Sequence, residues 1–118
     1  MRSLEDLRER LRAFAAARDW EQFHSPKNLA MAMIVEAGEL LEHFQWLTEP
    51  QSLALDAHTR AEVEQEIADV LLYLVRLADR LDIDLLQAAT RKIALNEQKY
   101  PAERYRGSAR KAGRDDPA

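Results

Sequence analysis

Apolar residues recur every three or four positions along most of the chain, which is the spacing of amphipathic helices. The first such stretch predicts a helix over residues 3–18, opened by a Ser3 and Asp6 pair that resembles a capping box. Ser25 followed by Pro26 is typical of an N-cap and a first helical residue. A second helix is therefore predicted from Pro26 to about Trp46 or Leu47, roughly 30 Å long at 1.5 Å per residue.

The second half of the chain continues the same pattern. After a connector over residues 48–57, with one short turn, a third helix is predicted to start between Ala57 and Arg60 and to run to about Leu81. A fourth helix is predicted over residues 84–99, with an aspartate cap before it and a proline after it. Since strand-like alternation is missing from the sequence, the prediction is an all-α bundle of four helices.

The predicted third helix is apolar on more than one side. Leu72 and Val75 fall outside its main stripe, which a small bundle covers with difficulty. We therefore expect this helix to face both its own core and a second subunit, in a homo-oligomer. The helical domain is expected over residues 1–106, and the small, polar and charged residues 107–118 are expected to be a disordered tail.

Composition restricts the class of protein further. The 118 residues carry a formal net charge of −4, and the basic residues are interleaved with acidic ones, which argues against a nucleic-acid-coating protein. The absence of cysteine excludes disulfides and Cys-ligated zinc. The acidic start does not resemble a secretory signal, and the longest apolar run, Val70 to Val75, is too short for a membrane span. A cytoplasmic protein with no membrane or nucleic-acid partner is expected.

Two pairs of carboxylates, Glu36 with Glu39 and Glu66 with Asp69, lie inside the two longest predicted helices. The i, i+3 spacing places each pair on one face, and that face also carries apolar residues. Gathering buried carboxylates is unfavourable unless a cation neutralises them. The alternative is a solvated helix face, whose acids commonly pair with basic residues at i+4.

A short connector between the two helices predicts that they are antiparallel neighbours, which brings both pairs to one seam. An all-oxygen ligand set of this kind suits Mg²⁺ or Mn²⁺, which leave positions open for water and phosphate oxygens. Ca²⁺ would more often use a loop of carbonyls and carboxylates. The sequence thus predicts a magnesium site, with manganese as an alternative.

These motifs resemble the MazG-like all-α nucleoside triphosphate pyrophosphohydrolases. The shared core is Glu36-x-x-Glu39, then 26 residues, then Glu66-x-x-Asp69. Dimeric dUTPases and phosphoribosyl-ATP pyrophosphohydrolases share those four acids. Further segments resemble the dCTP pyrophosphatase branch, over about residues 10 to 105: Arg18-Asp19-Trp20-Glu21-Gln22-Phe23-His24, Pro26 with Asn28-Leu29, Gly38-Glu39-Leu40, Phe44-Gln45-Trp46, Asp69-Val70-Leu71 with Tyr73-Leu74-Val75, and Lys99-Tyr100-Pro101.

The resemblance implies Mg²⁺-dependent hydrolysis of dCTP, or of a modified dCTP, between the α and β phosphorus atoms, giving dCMP and pyrophosphate. It implies Glu36, Glu39, Glu66 and Asp69 as metal ligands. Glu39 is the candidate for orienting or deprotonating the attacking water. The family also suggests a tetramer built from dimers.

Aromatic and polar residues outside the stripes are candidates for reading the substrate. Trp20 and Trp46 either close the ends of the core or, as the resemblance implies, stack on the pyrimidine. His24 is a partner for the base or sugar, or a cap for the second helix, and Asn28 offers both a donor and an acceptor to a base edge. Tyr73, four residues after Asp69, packs on the deoxyribose or is a core tyrosine.

One side of the predicted fourth helix carries Lys92, Asn96 and Tyr100. These residues are either a pocket for the β and γ phosphates, as the resemblance implies, or a solvated helix end that favours basic residues. His43 and His58 are expected to be surface residues. Two other functions remain open at this point: a broad-range house-cleaning nucleoside triphosphate pyrophosphohydrolase, and a non-catalytic helical oligomerisation module.

Overall fold

The computed structural model describes residues 1–113, and every regular element in that range is helical. The all-α prediction is therefore confirmed. The chain divides into two compact units, Met1–Ile83 and the residues from Asp84 onward. The helices are α1 (Leu4–Ala17), α2 (Pro26–Glu42), α3 (Glu49–Ser52), α4 (Ala57–Arg80), α5 (Leu85–Lys99) and α6 (Ala102–Tyr105), with a single 3₁₀ turn at Glu21–Phe23.

The first helix, α1, begins where the sequence predicts. Ser3 Oγ accepts a hydrogen bond from the Asp6 backbone N–H at 3.0 Å, as an N-cap should. The Asp6 carboxylate accepts from the Arg2 N–H at 3.0 Å instead of completing a capping box with Ser3. Arg12 joins α1 to α4 through a fork of two hydrogen bonds to Asp79, 2.7 Å from Nε and 2.5 Å from Nη2.

Helix α2 is fixed at its start by Ser25, whose Oγ accepts from the Asn28 N–H at 3.1 Å. Its fourth residue, Leu29, is almost completely buried. The helix ends at Glu42, so the predicted end at Trp46 or Leu47 is wrong. Residues 43–47 form hydrogen-bonded turns instead, and turns of three residues keep nearly the same apolar spacing as a helix.

The predicted connector also contains a helix, α3. Thr48 and Gln51 form a complete capping box: the Thr48 N–H donates to Gln51 Oε1 at 2.9 Å, and the Gln51 N–H donates to Thr48 Oγ1 at 3.3 Å. Pro50 lies in the first turn of this helix, where its missing N–H costs no hydrogen bond. The segment from Thr48 to Pro50 therefore starts a helix, whereas the sequence-based interpretation used it only as the stop of the second helix.

The longest helix, α4, is capped by Asp56, which accepts from the Thr59 N–H at 2.8 Å. Its contacts show that α2 and α4 are antiparallel. His43 near the end of α2 meets Glu66 in the first half of α4, whereas His24, just before α2, meets Arg76 near the end of α4. The predicted antiparallel pairing of the two acid-bearing helices is thus observed.

The apolar residues of α4 that are buried differ from those of the predicted stripe. Val75, placed outside the main stripe by the sequence, is buried, whereas the stripe residues Ile67, Leu71 and Leu74 are exposed in this chain. The helix is apolar on two sides, as expected, but the buried side includes Val75. The Arg12 to Asp79 ion pair lies on α4 one turn beyond Val75 and ties α1 to it.

The second unit contains α5 and α6. Asp84 caps α5 by accepting from the Gln87 N–H at 3.0 Å. The rings of Tyr100 and Tyr105 meet edge to face at 4.9 Å between centroids, and the Ala112 N–H donates to the Tyr100 hydroxyl at 3.2 Å. Residues 114–118 lie outside the described part, so the disordered tail over 107–118 and the 1–106 domain boundary stay predictions.

None of the helices within residues 1–113 has the combined length and apolarity that a membrane-spanning helix needs. The single four-helix arrangement and the homo-oligomer predicted from the sequence also stay predictions.

Candidate active site

The seam between α2 and α4 brings the predicted carboxylates close enough to act on one another. Glu36 shares a side-chain hydrogen bond with Glu39 and feels the charges of Asp69 and Glu66 across the seam. Loss of solvent, that hydrogen bond and those three like charges together raise the pKa of Glu36 above its usual value. The acids of the two helices therefore form one electrostatic group.

Glu66 has one carboxylate oxygen buried at the seam, beside His43. Its Oε2 atom is buried and lacks a hydrogen bond from any described residue. His43 Nε2 lies 2.5 Å from that oxygen and His43 Nδ1 lies 3.7 Å from Glu62, but the first contact does not have hydrogen-bond geometry. His43 is half-buried in this contact, so the expectation that it is a plain surface residue is wrong, whereas His58 is exposed.

The donor set fits a hard divalent cation. All four predicted ligands are carboxylates, and the pKa of Glu36 is raised first by burial and then by neighbouring acids whose charge a cation would offset. Within residues 1–113, no three Asp, Glu or His side chains are already gathered at coordination distance. The carboxylates approach one another without forming a complete coordination shell.

A pocket of about 240 Å³ opens beside the acids, entirely within the first unit. This volume is smaller than the roughly 300–1,000 Å³ typical of sites for drug-sized ligands, so the pocket suits part of a nucleotide. Its wall combines acids, aromatic rings and one cation: Leu11, Phe14, Ala15, Trp20, His24, Glu36, Asp69, Leu72, Tyr73 and Arg76. Five of the predicted site residues, Trp20, His24, Glu36, Asp69 and Tyr73, thus share one cavity.

Trp20 is held in the wall by aromatic neighbours. Its ring meets Phe14 edge to face at 5.6 Å and His24 at 6.3 Å between centroids. The Arg18 guanidinium lies 3.6 Å from the centroid of the Phe14 ring, which is cation–π geometry. Asp19 adopts a left-handed conformation with φ of 53°, and this turns the chain between the end of α1 and Trp20.

Arg76, which is 5% exposed, lines the pocket two helical turns along α4 from Asp69. Its Nε donates to His24 Nδ1 at 3.1 Å, and its Nη1 lies 3.4 Å from Asp79 Oδ2. Asp79 is the same carboxylate that Arg12 grips, and the hydrogen bond from Arg12 is the main cause that holds the pKa of Asp79 below its usual value. Arg76 therefore connects the pocket to the ion pair between Arg12 and Asp79.

The surroundings of His24 disfavour its charged form. Burial is the main cause that lowers its pKa, and the nearby charges of Arg76 and Arg80 lower it further, whereas Glu21 opposes them. The backbone oxygen of His24 also accepts from Arg80 Nε at 3.0 Å. The predicted alternatives for His24 were base partner or external cap, and the structure adds a third role, as an acceptor for Arg76.

Two other predicted substrate residues of the first unit are not among the pocket residues. Asn28 donates its side-chain amide to the Phe23 carbonyl at 3.0 Å, which closes the turn before α2. Trp46 is 86% exposed in the turns after α2. Neither alternative given for Trp46, core closure or base stacking, is made by contacts of this chain.

The residues predicted to bind phosphate all belong to the second unit. Lys92 and Asn96 are exposed on α5, and Tyr100 follows its last turn, with its hydroxyl accepting from the Ala112 N–H. Their role in a phosphate pocket stays a prediction.

Sequence reasoning missed Arg76 and Phe14. Arg76 follows Asp69 by seven residues, which places both on the same side of a helix. A charged residue inside the apolar run Leu71 to Ala78 was the available signal, since burying arginine requires partners. Phe14 was assigned to the first apolar stripe, and nothing in its spacing distinguished a pocket wall from core.

The MazG-like family model matches residues 31–114, which include both carboxylate pairs. The chain belongs to the MazG-like family. The matched residues include α2 from its second turn, α4 and α5. The resemblance drawn from the sequence is therefore confirmed.

Relatives and a solved structure agree with this MazG-like assignment. The chain is 50% identical over 109 residues to dCTP pyrophosphatase 1 of Mus musculus, and 48% identical over 111 residues to dCTP pyrophosphatase 1 of Homo sapiens. These alignments include 91% and 92% of this chain but only 64% and 65% of the relatives' lengths. A pyrophosphatase of Archaeoglobus fulgidus has a similar crystal structure, with a TM-score of 0.78, 44% identity, and coverage of 82% of this chain and 91% of that one.

Proposed function

We propose that this chain is a metal-dependent nucleoside triphosphate pyrophosphohydrolase that cleaves dCTP, or a modified dCTP, to the monophosphate and pyrophosphate. The observation that carries the proposal is the shared pocket, in which Glu36 and Asp69 lie with Trp20 and Tyr73. Carboxylates suit a phosphate-bound cation, and aromatic rings suit a base and sugar. The names of the mammalian relatives support dCTP as the substrate.

The metal ion most consistent with these ligands is Mg²⁺, with Mn²⁺ as an alternative. When bound, it would neutralise phosphate charge and lower the pKa of a water molecule. Glu36, Glu66 and Asp69 would supply its oxygen ligands, together with Glu39. Without a cation, these carboxylates would repel a triphosphate, since both carry negative charge.

The chain's own acid–base chemistry centres on Glu39. Glu39 is exposed at the seam, so water can reach its carboxylate. We assign Glu39 to orient the attacking water and accept its proton. The water oxygen bonds to the α-phosphorus, the bond from that phosphorus to the bridging oxygen breaks, and pyrophosphate leaves with the bond electrons.

The other residues predicted from the sequence are further candidates for substrate contacts. Trp20 and Tyr73 would pack against the base and deoxyribose from the pocket wall. Asn28 and Trp46 would add contacts to the base, and the latter is available to a neighbouring subunit of a homodimer or homotetramer because it is exposed. Lys92, Asn96 and Tyr100 belong to the second unit and stay candidates for phosphate contacts, as the resemblance implies.

A product assay tests this function directly. Each nucleoside triphosphate, including dCTP, dUTP, dTTP and 5-substituted dCTP, is incubated with Mg²⁺, and pyrophosphate and orthophosphate are measured separately. We expect pyrophosphate, dependence on Mg²⁺, and the highest rate with dCTP. Release of orthophosphate, or activity that survives chelation, would contradict the mechanism. Similar rates with all the nucleotides would favour the broad-range enzyme instead.

A matched pair of variants locates the chemistry. Glu39→Gln should abolish turnover, whereas Glu42→Gln, on an exposed glutamate of the same helix, should leave it unchanged. A full rate in Glu39→Gln would remove Glu39 from the mechanism. The non-catalytic oligomerisation module predicts no pyrophosphate in either protein.

A further inference from the structure

The guanidinium of Arg76 is buried with one nitrogen unsatisfied. Nε and Nη1 have partners in His24 and Asp79, but Nη2 is buried without a hydrogen-bond partner in the described part of the chain. The nearest carboxylate oxygen to Nη2 that makes an ion-pair contact is Glu21 Oε1, at 3.9 Å, which is too far for a hydrogen bond. A buried charged donor left without an acceptor is unfavourable, so an acceptor from outside the chain is expected there.

The position of Arg76 on α4 indicates which part of a nucleotide would supply that acceptor. Asp69 and Arg76 both line the pocket and are seven residues apart, which is about 10 Å along the helix axis. The phosphates belong at the Asp69 end because the carboxylates hold the metal there. The Arg76 end, beside Trp20, is therefore left for the base.

The chemistry of that end is restricted to donors. A guanidinium has no acceptor, and His24 uses Nδ1 to accept from Arg76. Because Nδ1 accepts this hydrogen bond, the ring proton of His24 is on Nε2. Both side chains can therefore offer only N–H groups to a ligand. Donors of this kind require acceptors on the ligand edge that faces them.

Pyrimidines differ at this edge. Cytosine presents two adjacent acceptors, N3 and O2, whereas uracil and thymine carry a hydrogen on N3 that would oppose a donor. We propose that Arg76 is a specificity-determining residue that reads the N3 and O2 edge of cytosine, with His24 as the neighbouring donor. This inference rests on the proposed nucleotide site, and it assigns base selection to a side chain that neither the sequence motifs nor the relatives' names identify.

The decisive experiment compares substrates in Arg76→Met, which removes the donors and keeps an apolar stem. The ratio of kcat/KM for dCTP to that for dUTP should fall by about fivefold or more, because a matched bidentate contact to a base edge discriminates by roughly 5- to 150-fold. In the wild type, 3-deaza-dCTP, which lacks the N3 acceptor, should be a poorer substrate than dCTP. In Arg76→Met the two should become similar.

Arg80→Met is the matched control. Arg80 is one turn further along α4 and also touches His24, but it does so through the backbone oxygen. It should leave the substrate ratio unchanged. Arg76→Lys provides a second variant that keeps a cation beside Asp79 while lacking the planar fork, and its ratio should also fall. Melting curves and circular dichroism establish that each variant is folded.

The outcomes separate this inference from the proposed function. If the wild type releases pyrophosphate but Arg76→Met and Arg76→Lys keep the wild-type ratio, or slow all nucleotides equally, Arg76 is structural and the inference fails alone. A wild type that prefers dUTP also overturns it. If no triphosphate is cleaved, the proposed function fails, and calorimetric binding of dCMP and dUMP decides: an Arg76-dependent preference for dCMP supports the inference, and equal affinities overturn it.

Discussion

The repulsion among the seam carboxylates predicts an unusual effect for Glu36→Gln in metal-free protein. Most substitutions at partly buried positions destabilise a fold. Here the raised pKa of Glu36 shows that its charged form is disfavoured by lost solvent and by three neighbouring acids. Glutamine removes the charge and supplies an N–H that can donate to Glu39. Glu36→Gln should therefore be more stable than the wild type when metal is chelated.

The magnitude follows from the three like-charge neighbours. Each such pair on a helix surface costs about 0.2–0.5 kcal/mol, so relief of three is worth about 1 kcal/mol. For a chain of this length, that corresponds to a rise in Tm of roughly 4 °C. With metal present, the wild type should instead have the higher Tm. A metal ion at 100 times its Kd stabilises a fold by about 2.7 kcal/mol, and a variant that lacks one of the metal-binding carboxylates should gain less.

The assay is thermal unfolding with EDTA and with a series of Mg²⁺ concentrations. Glu64→Gln serves as the control, because Glu64 is an exposed glutamate of α4 outside the carboxylate seam, and it should change neither the EDTA value nor the Mg²⁺ response. Two results would refute the reasoning. One is a Glu36→Gln protein that melts below the wild type in EDTA, and the other is a wild type whose Tm does not respond to Mg²⁺.

Three further predictions concern stability. Trp20→Ala should cost about 1–3 kcal/mol by urea unfolding because aromatic contacts are lost, whereas the exposed Trp46→Ala should stay within about 0.5 kcal/mol in the monomer. Because Arg12 lowers the pKa of Asp79 in the folded state, that pair contributes stability above the unfolded-state pKa of 3.8. This stability is lost as the pH falls through the folded value, so Arg12→Met should weaken the acid dependence of urea unfolding. Ser25→Ala should cost about 1 kcal/mol through loss of the α2 cap.

Much of the fold was predictable because local signals controlled it. The caps at Ser3, Ser25 and Asp84 each accept the expected N–H, and the period of α4 gives its ends to within a residue or so. The errors arose where two local signals overlapped. Turns after Glu42 preserve the helical spacing, and Thr48 is at once a stop for one helix and the cap of the next.

The site was predictable only in part, for a different reason. The carboxylate spacing identified Glu36 and Asp69 because four acids on apolar faces conflict with burial. The partnership of Arg76 with His24 joins residues 52 positions apart, which no helical period encodes. The sequence also did not determine which apolar face of α4 is buried. Val75 and Leu71 are both aliphatic residues of the same apolar run, but Val75 is buried and Leu71 is exposed.

The pairing of Asp79 with Arg12, rather than with Arg76, affects which donors of Arg76 remain unpaired. The helix carries acids in its middle, at Glu66 and Asp69, and basic residues two turns later, at Arg76 and Arg80. If Asp79 were free, it would compete fully for the Arg76 guanidinium and draw it from the pocket. Arg12 occupies both Asp79 oxygens at short distance, which leaves only a 3.4 Å contact to Arg76. If Arg76 contacts the base as proposed, the ion pair between Arg12 of α1 and Asp79 of α4 would keep Nη2 of Arg76 available for that contact.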